Sequence, residues 1–441
     1  MSRENKIKHV IAMVLIVFTL VALAFLSSGA EVKKVYLKNG GIGDGSNYEN
    51  AIGDFKEAVR LLAKSGGKIV VCGNYTFTEL INLSVKNGTS NGTKVITVTS
   101  VDGEVDYRKH TNASLCFGDG KSSANMILAG KFVFENLNIT TNGGVTPRAV
   151  VCNGYDTVFG EGIVCEKKGN APHLSVIGIS LDEERVSSNG CITIKSGNYY
   201  NVCAGNRNGN SVGNTFLTID GGTFDGIVSA SGYISVGFKQ EGNASLVING
   251  GTFHGQVGCI TEALDTFSFA VNGGSFRKEL CAYGKYNVLD INGGNMQNIT
   301  AVNIADYIED LPETTENGRP VETKAEDVKK SFVNINEYKG DVDKLISKIN
   351  GVGVIIKKNT MGGNDAESTA ISVIGTDSSE KNNISPEVTE TSDNETLSEN
   401  KIEREYLLGS RQNTVFTISV IGVIVALAIV IFAYRTVYRK K

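Results

Sequence analysis

One short phrase recurs along residues 219–298. Ile219-Asp-Gly-Gly-Thr-Phe-Asp-Gly226 is followed by Ile248-Asn-Gly-Gly-Thr-Phe-His-Gly255, Val271-Asn-Gly-Gly-Ser-Phe-Arg-Lys278 and Ile291-Asn-Gly-Gly-Asn-Met-Gln-Asn298. A looser copy, Ile194-Lys-Ser-Gly-Asn-Tyr-Tyr-Asn201, precedes them. Successive copies begin 25, 29, 23 and 20 residues apart. A period of this size marks a solenoid, a propeller or an array. Propeller blades need about 40–50 residues and several longer strands. Here the apolar lead-ins are short, such as Phe216-Leu-Thr-Ile219 and Leu246-Val-Ile248, and alternate with a period near two. The Gly-Gly pair lets the chain turn a tight corner. Three short strands and three corners fill such a repeat, which is one turn of a parallel β-helix with turns about 4.8 Å apart.

Stacking the copies gives each column a role. Tyr199, Phe224, Phe253, Phe276 and Met296 form an aromatic column expected inside the coil. Lys195, Asp220, Asn249, Asn272 and Asn292 form a column whose amides can hydrogen-bond along the axis. Tyr200, Asp225, His254, Arg277 and Gln297 form a third, which alternation points outward.

The chain has 441 residues, enough for a sizeable core. Its 51 glycines lack collagen's three-residue period and suit a protein of many corners. The formal net charge of −4, with no basic patch, argues against a nucleic-acid partner.

Both ends are hydrophobic. Residues 10–26 are uncharged and follow Arg3, Lys6 and Lys8, with Ser28-Gly-Ala30 as a small-residue cleavage site. Residues 1–30 therefore read as a secretory signal peptide, an uncleaved anchor being the alternative. Residues 415–434 are 20 uncharged residues, long enough to span a bilayer. Arg435, Arg439, Lys440 and Lys441 follow and favour a cytoplasmic tail at 435–441. The expected localisation is the plasma membrane, single-pass, with an extracellular N-terminal domain.

All eight cysteines lie between these ends: Cys72, Cys116, Cys152, Cys165, Cys191, Cys203, Cys259 and Cys281. No Cys-x-x-Cys pair occurs, so no zinc site is expected, and no cofactor is implied. Cys259 and Cys281 sit 22 residues apart, close to one turn. Parallel side chains on stacked turns make poor disulfides, so buried thiols filling the coil are the favoured reading. Asn74, Asn87, Asn91, Asn138 and Asn243 each head an Asn-x-Ser/Thr triplet.

Taken in order, residues 31–68 read as an N-terminal strand at 35–37 and a capping helix at 54–65. In the helix Phe55, Ala58, Val59 and Leu62 share a face, Asp54 caps and Gly66-Gly67 stops. A helix there covers the open end of a coil. Residues 69–300 read as the β-helix, with early strands at 96–99, 132–139, 150–152, 158–164 and 174–179. Residues 301–359 read as a C-terminal cap or small closing module, helical at 327–330 and 342–349 and extended at 352–357. Residues 360–412 carry eleven acidic and four basic residues and read as a disordered stalk. The membrane helix occupies 413–434.

Val35-Tyr-Leu37, Gly43-Asp-Gly45, Ala51, Ala58 and Gly66-Gly-Lys-Ile-Val-Val71 resemble the opening of pectate-lyase-like right-handed β-helix domains. Ile96-Thr-Val-Thr-Ser-Val-Asp-Gly103, Asp106-Tyr-Arg108, Phe134-Glu-Asn-Leu-Asn-Ile139, Val151-Cys-Asn-Gly154 and Phe159-Gly-Glu-Gly162 are similar to β-helix domains of Firmicutes cell-surface proteins. The likeness covers about residues 35–300. It implies an all-β fold, a right-handed parallel β-helix solenoid. Lyases of that fold use a Lys or Arg base beside acidic calcium ligands, and its galacturonan hydrolases use clustered aspartates and a Gly-His-Gly. Neither set is legible here: Gly-His-Gly is absent, and no Asp-Asp pair lies in the regular turns. Asp182-Glu-Glu184 reads as an exposed corner loop.

One constellation carries chemistry. Asp225, His254 and Arg277 should lie on successive turns, an acid, a base and a cation in a row that can bind a sugar acid or act on it. A solvated sheet face also carries such residues without any role. Tyr199, Tyr200, Tyr233, Tyr283 and Tyr286 are candidate sugar-stacking surfaces. The expected function is a cell-surface binding or adhesion module for glycan or a surface protein. The alternatives are an extracellular polysaccharide lyase or glycoside hydrolase, and a purely structural spacer.

Overall fold

Val35 faces Ile69 across a parallel strand pair, and the column they begin runs through most of the chain. It continues through Val98, Phe134, Phe159, Ile194, Ile219, Ile248, Val271, Ile291 and Ile335. Every member is buried. The protein is thus an all-β, parallel solenoid in which each turn buries its apolar residues on those of its neighbours. The structure is a computed structural model. It describes residues 32–83, 94–121, 124–181, 186–233, 238–304, 315–316, 319–320, 331–351, 354–358 and 369–373.

Three long faces wrap the core, and in the middle turns a fourth, short ladder of Val186–Ser187, Ser211–Val212, Lys239–Glu241 and the middle of Val257–Val271 is added. The first stacks Lys34–Leu37, Gly67–Val71, Val95–Thr99, Lys131–Glu135, Thr157–Phe159, Gly190–Ile194, Thr215–Ile219 and Ala244–Ile248. It continues through the later halves of Val257–Val271 and Leu280–Ile291 to Ser331–Ile335 and Val354–Lys358. The second begins with Asn74–Phe77, Ser114–Phe117, Asn138–Gly143 and Val164–Gly169. Its later rungs are the start of Asn198–Cys203, then Thr223–Phe224, Thr252–Phe253 and Ser275–Phe276. The third runs from Ile81–Asn82 through Ala149–Val151, Leu174–Ile177 and Val228–Ser229 to Val302–Ile304 and Ile349–Asn350.

The Gly-Gly corner needs both glycines, for different reasons. Gly222 sits at φ +104°, where a side chain is strained. A Cβ on Gly221 would lie 2.6 Å from the Lys195 carbonyl oxygen of the turn above. One glycine sets the bend and the other lets two turns approach. The corner then delivers the aromatic residue inward. Tyr199, Phe224, Phe253, Phe276 and Met296 are all buried. Phe224 and Phe253 stack with centroids 4.9 Å apart and planes 6° from parallel.

The amide column also forms. Nδ2 of Asn249 donates to Oδ1 of Asp220 at 2.7 Å, Nδ2 of Asn272 to Asn249 at 2.8 Å, and Nδ2 of Asn292 to Asn272 at 2.8 Å. Asn336 extends it, donating to Asn292 at 2.5 Å.

The helix spans Phe55–Leu62. Oδ1 of Asp54 accepts from the Lys56 amide at 2.8 Å, and Phe55, Ala58, Val59 and Leu62 are buried. Phe55 packs edge-on against Phe77, centroids 5.3 Å apart.

Four sequence expectations change. The stretch 132–139 is two strands, Lys131–Glu135 and Asn138–Gly143, because Asn136 turns the chain at φ 49°. The stretch 158–164 divides likewise, with Gly162 at φ 69°. The helix expected at 342–349 stops at Ile346, since Ile349–Asn350 joins the third face. Thr369–Val373 pairs antiparallel with Val354–Lys358, inside the segment expected to be a stalk. Its Thr-Ala-Ile-Ser-Val alternation is a strand pattern hidden by acidic surroundings. The segment expected as a closing module stacks in register on the coil through Ser331–Ile335.

The signal peptide, the membrane segment 413–434, the basic tail, Asn87, Asn91, Asp182-Glu-Glu184 and the helix expected at 327–330 lie outside the described residues. Among the described residues no helix is long and apolar enough to cross a membrane.

Candidate functional site

The residues after the aromatic column point away from the core, as alternation requires. Their backbones are pinned turn on turn: the Asp225 amide donates to Tyr199 at 2.9 Å, His254 to Phe224 at 2.8 Å and Arg277 to Phe253 at 3.0 Å. Asp225, His254 and Arg277 therefore occupy consecutive turns. Asn201 braces the corner beneath them, its Oδ1 accepting from the Ile227 amide at 2.8 Å.

The side chains are not arranged as a simple row. Oδ2 of Asp225 lies 2.8 Å from Nδ1 of His173. Oδ1 of Asp225 lies 3.8 Å from Nδ1 of His254, beyond hydrogen-bond range but within reach of an ion pair when the imidazole is charged. Asp225 thus sits between two imidazoles. A carboxylate only accepts, so Nδ1 of His173 carries the proton and its Nε2 is the open nitrogen. The His173 side chain is 15 % exposed, against 36 % for His254. Arg277 is exposed, and its side chain has no hydrogen bond or ion pair among the described residues.

His173 had no signal in the repeats. It ends Ala171-Pro-His173, the corner before Leu174–Ile177, where pairing with Asn198–Cys203 shifts register between Leu174 and Val176. That irregular turn lies above the first repeat copy, so no column projects to it.

Of the tyrosines, Tyr199 belongs to the core, while Tyr200, Tyr233, Tyr283 and Tyr286 are half-buried. Burial pushes the phenols of Tyr233 and Tyr283 up to about 12.

A second polar cluster lies near the N-terminus. Lys34 Nζ is 2.7 Å from Oδ1 of Asp102, and the Tyr36 hydroxyl donates to the same carboxylate. Burial raises the Asp102 pKa, but bonds from Lys34 and Tyr36 outweigh it and hold it below the usual range. Burial and then Asp102 push the Tyr36 phenol up. Tyr36 is therefore a donor that pins the hairpin 101–106 on the first face, and it is poorly suited to act as a base.

All eight cysteines are free, and six are buried. The register sets Cys259 opposite Ala282 and Cys281 opposite Gly258, so the two thiols do not stack on each other. Burial pushes the thiols of Cys152, Cys165, Cys259 and Cys281 up to about 12. They are packing groups, not thiolates poised for reaction.

Among the described residues no group of three or more His, Cys, Asp or Glu side chains is placed to hold a metal ion. The arrangement can do two things chemically. Arg277 can pair with an anion, and His173, oriented through Nδ1, can accept or donate a proton at Nε2. Compared with known proteins, the chain matches no family model, no curated protein and no solved structure.

Proposed function

We propose that this chain is a cell-surface binding protein whose solenoid, a right-handed parallel β-helix, presents the column Asp225–His254–Arg277 to acidic glycan. The helix Phe55–Leu62 covers the N-terminal opening of the coil. The span at 415–434 anchors the chain. The observation that carries the reading is exposed Arg277, one turn below His254 and two below Asp225, which itself holds His173. A surface cation on a polar column recognises an anion on a polymer. The membrane parts rest on the two uncharged runs of the sequence.

A second reading, a polysaccharide lyase, draws on the 2.8 Å contact between Asp225 and His173. An imidazole so oriented can remove the proton beside a uronate carboxylate while a cation balances the charge.

One experiment separates the two. The full chain is incubated with pectin, host mucin and cell-wall glycans, with and without calcium, and the polymer is sized. Intact polymer that co-migrates with the protein supports the binder. Shortened polymer with unsaturated ends supports the lyase. Intact polymer with no association removes both readings for those glycans.

A further inference from the structure

The outward column has one more member, Gln297, and it leads into a cavity. Below Ser275–Phe276 the ladder of the second face shrinks to a bridge, Ser275 to Asn295, and the Asn295 amide donates to Gly274 at 2.7 Å. The next turn does not return as a strand there. It forms the short helix Val342–Ile346 instead. The helix packs Leu345 into the core of the coil, and a cavity of ≈ 310 Å³ lies between it and the corner at 296–298. Met296 and Leu345 make its floor, both buried. Tyr338 forms a wall, and Gln297, Asn298, Asp341, Lys344 and Lys348 ring it.

These groups are not equally available. Nζ of Lys348 donates to the carbonyl of Ile299 at 2.5 Å and to that of Gln297 at 3.4 Å, so it ties the helix to the coil. Oδ1 of Asp341 accepts from the Lys344 amide at 3.0 Å, which leaves its other oxygen open. The ammonium of Lys344 is exposed and makes no hydrogen bond or ion pair among the described residues.

We infer that this cavity binds a single sugar acid: a pyranose with one carboxylate. Its volume lies near the lower limit for small-molecule sites, about 300 Å³, so it suits one ring rather than a polymer. The Met296–Leu345 floor and the Tyr338 ring match the carbon–hydrogen face of a pyranose. Gln297 and Asn298 each donate and accept, and Asp341 accepts, which is what a set of hydroxyls requires. An uncharged sugar leaves Lys344 without a counter-charge. A dianionic phosphate carries twice the charge that Lys344 balances and is repelled by Asp341 the more strongly for it. A monocarboxylate satisfies both constraints. The site uses none of Asp225, His254, Arg277 or His173, and it stands whether or not the column binds glycan.

Saturation-transfer NMR on the full chain tests this with D-galacturonate, D-glucuronate and D-glucose as separate probes. At least one uronate should receive saturation at its ring protons, and glucose should receive far less. Lys344→Gln should weaken uronate binding roughly fivefold, the loss of one charge-assisted contact at an open site. The residue is exposed, so the fold should survive. Lys167→Gln, at an exposed lysine of Val164–Gly169 outside both the cavity and the column, should leave uronate binding unchanged. The inference fails if neither uronate is saturated, if glucose matches them, or if Lys344→Gln has no effect. It fails equally if Arg277→Ala abolishes the signal, which would move the ligand to the column.

Discussion

Phe253 and Phe276 stack with their centroids 4.8 Å apart and their planes 5° from parallel. That is the spacing of hydrogen-bonded strands, about 4.8 Å, so rings and backbone rise in step. A ring removed from this column leaves a hole that the turns on either side cannot close without breaking their own ladder. Phe253→Ala should therefore cost about 3–5 kcal/mol, read as a lowered urea midpoint. Phe253→Leu should cost much less. Equal losses for the two variants would mean that the column relaxes freely.

Asn272 donates to Asn249 and accepts from Asn292. Asn272→Ala loses both bonds at an exposed corner, which should cost about 1 kcal/mol in urea unfolding. Asn272→Asp is more informative. A carboxylate can accept from Asn292 but meets the Asn249 oxygen as a second acceptor, whereas the protonated acid can donate there. Its folded-state pKa should lie above the unfolded value, so its added destabilisation is absent well below pH about 4 and appears as pH rises. A pH-independent difference from wild type would show that the ladder direction is wrong.

The buried thiols set an alkaline limit. In the unfolded chain a cysteine ionises near pH about 8.5, whereas Cys152, Cys165, Cys259 and Cys281 hold their protons to about 12 in the fold. Above the unfolded value the unfolded state carries fewer protons, so stability must fall as pH rises. The stability should be fully present below pH about 8.5 and decline toward 12, seen as a falling urea midpoint. Native-state alkylation of these four should be slow, and urea should release it. Rapid labelling of Cys259 in the native protein would contradict its burial.

The exposed Arg277 gives a cleaner test of the column than its histidines. Arg277→Ala should leave thermal stability within about 0.5 kcal/mol. It should weaken retention of an acidic polymer severalfold and flatten its salt dependence. His173→Ala, which breaks the 2.8 Å contact to Asp225, should abolish any chain cleavage but only modestly affect binding. Unchanged retention in Arg277→Ala would shift attention from this column to other faces.

The coil was legible because its period, its Gly-Gly corners and its alternation all specify the same register. The repeat alone assigns Tyr199, Phe224 and Phe253 to one column and Asn249 and Asn272 to another. Legibility ended where the repeat did. Asn336 continues the amide ladder, yet it lies 44 residues after Asn292, and that interval concealed it. His173 sits in an irregular corner whose side chain reaches across turns, a three-dimensional fact with no period. The cavity beside Tyr338 exists because a helix replaces a strand, and the sequence pattern of either element alone does not announce a gap between them.

The last strand of the first face runs backwards, and this has a mechanical consequence. Thr369–Val373 pairs so that Val373 lies opposite Val354 and Thr369 opposite Lys358. Tension arriving from the chain beyond residue 373 loads the Val354–Val373 rung first and the others in succession, so the pair opens like a zip. Each turn beneath is held only by its neighbours. Pulled from its C-terminal side, the molecule should yield in a train of small steps, one per turn, when stretched in an optical trap, a single abrupt rupture being the contrary outcome. Such a coil behaves as a shock absorber.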